Sequence, residues 1–116
     1  MTVRIYHNPR CSKSRQTLAL LKERGVEAEI VEYLKTPPDA DTLVDLAAQL
    51  GVGLRDLLRT GEDEYKQARK NIDGMDDGAL ASWLAANPKV LQRPIVVSNQ
   101  GARIGRPPEA VLDILD

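Results

Sequence analysis

Cys11 is the only cysteine in a chain of 116 residues, and it stands among Arg10, Ser12, Lys13, Ser14 and Arg15. A thiol reacts through its thiolate, and an ordinary thiol with pKa near 8.5 is only about 3% ionised at pH 7. Cysteines at helix starts or beside cations reach roughly 3.5–7.5. Both conditions are written into this stretch. From Ser12 to Arg24 there is no Gly or Pro, and Leu18 and Leu21 fall on one face, so the run reads as a helix stopped by Gly25. Cys11 then sits where unpaired amides and the positive end of the macrodipole gather. Arg10, Lys13 and Arg15 add local positive charge. The chemistry on offer is nucleophilic attack by sulfur without a dedicated base. The alternative is a small buried hydrophobe, as most free cysteines are, although its polar neighbours Arg10, Ser12, Lys13 and Ser14 do not suit a core position.

Spacing removes several rivals. A two-cysteine redox motif needs a second cysteine where Ser14 stands, and a phosphatase loop needs an arginine where Thr17 stands. No G-x-x-x-x-G-K or G-x-G-x-x-G occurs, so nucleotide loops are unsupported. A single cysteine also precludes an internal disulfide or a multi-cysteine metal site. Other groups able to share in the chemistry are more ambiguous. Arg93 lies just before an apolar strand and Arg106 just before a helix, at element ends where sites tend to be built. Arg59 shares a helix face with Arg55 one turn earlier. Each could equally be a solvated surface charge, and His7 could be a turn residue bonding the backbone.

These residues need a scaffold, and the bulk composition allows one. Hydrophobic residues make up 42% and charged residues 28%, which is ordinary for one soluble domain spanning residues 1–116. A net charge of −1 from 16 basic and 17 acidic residues argues against a general nucleic-acid or membrane-surface binder. No apolar run approaches the roughly 20 residues of a membrane helix. Met1–Asn8 carries no signal-peptide pattern. A cytoplasmic chain with a reduced Cys11 is expected.

Thr2–Tyr6 alternates and breaks at His7-Asn8-Pro9, a strand entering a turn. Ala28–Leu34 reads as a second strand, which completes a parallel β-α-β unit. After Thr36-Pro37-Pro38, Leu43, Leu46, Ala47 and Leu50 match the helical period. A short helix is expected at Leu54–Arg59 and a polar one at Glu62–Lys70. A third begins at the cap Asp76, carries Leu80, Trp83 and Leu84, and ends at Asn87-Pro88. Residues 37–90 thus form a mainly helical insert with no obvious strand. Pro94-Ile95-Val96-Val97 reads as a buried strand, and Asn99-Gln100-Gly101 turns into a partner at Ala102–Ile104. Pro107-Pro108 opens a final helix packed by Val111, Leu112, Ile114 and Leu115. The fold class is α/β, β-α-β then β-β-α around a helical insert.

His7-Asn8-Pro9-Arg10-Cys11-Ser12-Lys13-Ser14-Arg15 resembles the active-site segment of the glutaredoxin-coupled arsenate reductase family. The likeness continues through Leu57-Leu58-Arg59, Gln92-Arg93-Pro94-Ile95-Val96 and Ile104-Gly105-Arg106-Pro107-Pro108-Glu109, and it spans nearly the whole chain. It implies a thioredoxin-like fold and a site where Cys11 attacks arsenate held by Arg59, Arg93 and Arg106. His7 matches a histidine associated with keeping the thiol ionised, and Asn8, Ser14 and Pro94 are supporting positions. Pro94 occupies the place of the proline that is usually cis and faces the cysteine in such folds. Arsenate resembles phosphate, and planar guanidinium groups bind such oxygens bidentately. One departure stands out: members with well-supported arsenate activity carry Gly-Thr after the cysteine, where this chain has Ser12-Lys13. Lys13 either adds charge to the pocket or fills it.

Electron counting extends the implication. Reducing As(V) to As(III) takes two electrons, delivered as two thiols become a disulfide, and one cysteine supplies one thiol. Glutathione as co-substrate and glutaredoxin as partner follow, with no metal or bound cofactor, and a monomer is expected. Two other functions fit the same residues. The chain also looks like Spx-type regulators that contact RNA polymerase, although Ser14 removes their two-cysteine switch. The thiol and arginines could also serve a glutathione-dependent reductase acting on another substrate.

Overall fold

Alternation over β1 (Val3–His7) turns Val3 and Ile5 to one side, where both are buried. The structure is a computed structural model and describes residues 2–115. It divides into two compact units, one built from the segments ending at Thr36 and beginning at Arg93, the other from Pro37–Gln92.

In the first unit, β1 leads through α1 (Ser12–Glu23) to β2 (Ala28–Glu32), which pairs parallel to it. β3 (Ile95–Ser98) runs antiparallel to β1, and β4 (Gly101–Ile104) antiparallel to β3, giving the order β2-β1-β3-β4. This is the expected thioredoxin-like α/β arrangement. Gly25 ends α1 with φ of 71°. Its amide bonds Lys22 O at 3.0 Å while the Val26 amide bonds Leu21 O at 2.9 Å, a Schellman stop that favours glycine. Val3, Ile5, Leu21, Val96, Val111 and Ile114 form the core. β3 is the most deeply buried strand, with Ile95 and Val96 sealed, as a continuous apolar run requires.

The final element departs from expectation. Pro108–Ile114 is a 3-10 helix and not an α-helix. Side chains three apart eclipse in that geometry, and Pro108, Val111 and Ile114 are the three it buries. The seven-residue segment thereby stacks a single narrow row onto the core. A wider α-helical stripe would have to bury Leu112 and Leu115 equally, and both stay half-exposed.

The second unit holds α2 (Ala40–Leu50), a 3-10 turn at Leu54–Leu57, α3 (Asp63–Asp73), α4 (Asp77–Ala86) and a 3-10 turn at Pro88–Val90. Asp39 and Asp76 cap α2 and α4 by accepting from Thr42 N and Ala79 N, each at 2.8 Å. Leu43, Leu46, Leu57, Ile72, Leu80, Leu84 and Leu91 are buried. The short helix expected over Leu54–Arg59 is shorter and tighter. The chain then extends, so that Leu58 and Leu91 form an isolated antiparallel bridge. Among the described residues no helix is long and apolar enough to cross a membrane.

Gly105, just past β4, sits where the chain passes close against α1 and Pro94. A Cβ there would lie 2.5 Å from Thr17 Oγ1 on α1 and 2.8 Å from Pro94 Cγ. Its amide also bonds Pro94 O at 2.9 Å, which leaves little freedom to retreat. Gly105→Ala is therefore expected to lower stability by about 1–3 kcal/mol, the range for overpacking. Urea unfolding checks this, and an unchanged midpoint would mean that Thr17 and Pro94 yield freely.

Candidate active site

The turn between β1 and α1 is held by its own polar atoms. The Cys11 amide donates to Asn8 O and the Arg10 amide to Asn8 Oδ1, each at 3.0 Å. The Asn8 amide donates to Ser14 Oγ at 3.0 Å, and Ser14 Oγ lies 2.6 Å from His7 Nδ1, a bond whose direction depends on the ring tautomer. Arg15 reaches back to Pro9 O at 2.9 Å. His7, Asn8 and Ser14 are all buried, so the loop's polar groups satisfy one another. That network fixes Cys11 as the N-cap of α1, with extended backbone at φ −92° and ψ 123° and no acidic residue in the first turn.

Cys11 is partly exposed, which rules out the buried-hydrophobe alternative. Burial pushes its thiol up, but the Ser14 amide, the Arg93 guanidinium and the Lys13 amide outweigh it and hold the thiol below its ordinary value. Two of the three are unpaired helix-start amides aimed at the sulfur. The third arrives from the far end of the sequence. Arg106 joins them, with Nη2 donating to Sγ at 3.6 Å and Nε donating to Arg93 O at 2.8 Å. Arg93, just before β3, and Arg106, just after β4, thus reach one sulfur from the same open end of the β3–β4 hairpin. The Arg93–Pro94 peptide bond is cis, as is Arg106–Pro107.

The remaining candidates are distributed differently. The His7 ring is held on Ser14, and burial lowers its pKa despite the raising influence of Glu32. It is therefore a neutral ring at pH 7 that braces the turn through Ser14. Arg59 belongs to the second unit. Its amide bonds Val90 O, its carbonyl accepts from the Glu62 amide at 3.3 Å, and its Nε lies 3.5 Å from Glu62 Oε1. Among the described residues no His, Cys, Asp or Glu cluster could hold a metal ion.

Two contributors escaped sequence reasoning. Tyr33, wholly buried, has Arg93, Asn8 and Cys11 in its electrostatic surroundings. Its only signal is an aromatic hydroxyl at the end of a strand, just before a polar loop. Gly105 lies between Ile104 and Arg106, and the space it leaves is visible only in three dimensions.

The family model described as the ArsC family matches residues 6–114. The uncharacterized protein YfgD of Escherichia coli (strain K12) is 56% identical over 97% of this chain and 96% of its own length. An arsenate reductase of Neisseria meningitidis is 45% identical over 97% of both chains. Among solved structures, an arsenate reductase from Vibrio cholerae superposes with a TM-score of 0.94 at 47% identity, covering 99% of this chain and 98% of that one.

The balance of groups around the sulfur is open to direct titration. Thiolate absorbance near 240 nm should show Cys11 ionising below the ordinary value of about 8.5. Arg93→Leu should move the midpoint upward, because it removes both a hydrogen bond and a positive charge. A midpoint that stays put in the variant would mean that the helix amides act alone.

Proposed function

The chain belongs to the ArsC family, and from that premise we propose that it reduces arsenate to arsenite through Cys11, with glutathione and glutaredoxin supplying the second thiol. The observation that carries this reading is the sulfur's setting: a partly exposed thiol held below its ordinary pKa, with an arginine Nη2 at 3.6 Å.

The Cys11 thiolate attacks arsenic, and one arsenate oxygen leaves as water once protonated. Arg93 and Arg106 offset the oxyanion's charge so that an anionic sulfur can approach, which is electrostatic stabilisation of the transition state. Arg59 serves as the third arginine in this scheme, by its match to the family motif. Glutathione then reacts at the adduct, and arsenite departs with the electron pair of the sulfur–arsenic bond. Cys11 is left in a mixed disulfide with glutathione, and a glutaredoxin thiol removes the glutathionyl group. Two thiols have become a disulfide and arsenic has gained two electrons, so the step balances without a metal or bound cofactor. The protein works as a monomer in the cytoplasm, where glutathione is kept reduced.

Ser12 and Lys13 favour testing a second substrate class beside arsenate. Lys13 is half-buried at the first turn of α1 and lends its amide to the sulfur, and its side chain stands where the Gly-Thr members carry Thr. Purified protein should therefore be assayed with arsenate, with phosphate and with a glutathione-mixed disulfide, each with glutathione and glutaredoxin. Arsenate-dependent consumption of reductant is expected, lost in Cys11→Ser and reduced on the order of 100-fold in Arg106→Ala. Turnover of the mixed disulfide alone would overturn arsenate as the substrate and keep the thiol chemistry. No turnover with any of them would remove the enzymatic reading.

A further inference from the structure

Tyr33 follows β2, an edge strand that is exposed or half-exposed along its length. Yet Tyr33 itself is 0% exposed. Extending the parallel register one step past His7↔Glu32 sets Tyr33 beside Asn8, where the chain leaves the sheet for the Cys11 turn. A phenylalanine would fill the same space without burying a hydroxyl, and a buried hydroxyl lacking a full hydrogen bond is costly. Here the phenol oxygen is sealed from solvent and no partner meets it at full hydrogen-bond geometry. Its surroundings explain why it is tolerated. Burial pushes the phenol up and keeps it neutral, while the Arg93 guanidinium and the Asn8 side chain approach the oxygen and the Cys11 sulfur lies within electrostatic reach. Arg93 is thus shared between a neutral oxygen and the sulfur it helps to ionise.

We propose that the Tyr33 hydroxyl is a positioning group, a buried neutral acceptor that steadies the Arg93 guanidinium and the Asn8 carboxamide beside Cys11 before any substrate arrives. This inference rests on Cys11 being the nucleophile, and it adds a residue that the family motifs do not include. The charged groups that act on or touch the sulfur are Arg93 and Arg106. Arg10, Lys13 and Arg15 belong to its own segment, with the Arg15 guanidinium bonded to Pro9 O. His7 is bonded to Ser14, and Tyr33 lies within electrostatic reach. Of these, only Tyr33 combines complete burial with neutrality. It therefore acts on the thiol through Arg93 and not through a charge of its own.

The test is Tyr33→Phe, read by the thiolate absorbance of Cys11 against pH. The midpoint is expected to rise by about half to one pH unit, which is about a three- to tenfold loss of thiolate well below the midpoint. A purely structural tyrosine would leave the midpoint where it is. A low midpoint in the wild type that is unmoved in the variant overturns the inference and leaves the nucleophile standing. An ordinary midpoint near 8.5 in the wild type removes the nucleophile and the inference together. Should the variant fail to fold, wild-type protein labelled at the tyrosine Cζ gives the answer. The Tyr33 resonance, assigned with Tyr6→Phe and Tyr65→Phe, should shift through the Cys11 midpoint and stay flat in Cys11→Ser. A Tyr33 signal that is flat in the wild type overturns the proposal.

Discussion

A single electrostatic imbalance organises this molecule: a sulfur partly withdrawn from water is nonetheless easier to ionise than one in free solution. Burial alone would oppose the charge, and the Ser14 and Lys13 amides with Arg93 reverse that outcome. The amides cost nothing extra, because the first turn of any helix leaves them unpaired. Cys11 accordingly has to be the N-cap of α1, and its extended backbone gives it that place. A carboxylate in the first turn would compete for the same amides, and α1 has none there.

The guanidinium contribution demands more of the fold. Arg93 and Arg106 are far from Cys11 in sequence and reach it because β3 lies next to β1 in the sheet. β3 is nearly sealed, so its entry point is among the least movable parts of the first unit. The β3–β4 hairpin then returns the chain to the same end, where Arg106 Nε bonds Arg93 O. Gly105 permits that return to pass against Thr17 and Pro94 without a side chain in between. The rigidity of an apolar core is in this way transmitted to two flexible, charged side chains, as preorganised electrostatics requires.

What could be read in advance follows the range of the interactions. The β1 turn, α1 and its glycine stop are local, and His7 to Gly25 announces them by residue type. The helical period of α2 and the Asp76 cap are equally local. The isolated Leu58–Leu91 bridge has no repeating pattern to read. The last element was expected to be α-helical, since Val111, Leu112, Ile114 and Leu115 fit either helix type. Only contact with the core selects the three-residue row of Pro108, Val111 and Ile114. Motif resemblance nominated Arg93 and Arg106, but spacing could not show that both point at one sulfur. Tyr33 stayed hidden because an aromatic residue at a strand end ordinarily signals packing, and its hydroxyl matters only beside Arg93 and Asn8.

Position 14 shows what a serine contributes to this turn in place of a second thiol. A cysteine there would sit one helical turn from Cys11, the spacing of a self-sufficient redox pair. Ser14 is instead 0% exposed, and its oxygen accepts from the Asn8 amide while meeting His7 Nδ1 at 2.6 Å. Sulfur is larger and a weaker hydrogen-bond partner, so it could not keep a contact that short or satisfy a buried amide as well. With Ser14 in place the neutral His7 ring, the Asn8 turn and the start of α1 remain one connected network. A resolving cysteine at this position would weaken the Ser14 Oγ contacts to the Asn8 amide and His7 Nδ1. The chain has no second cysteine, so in the proposed scheme the second thiol comes from another molecule.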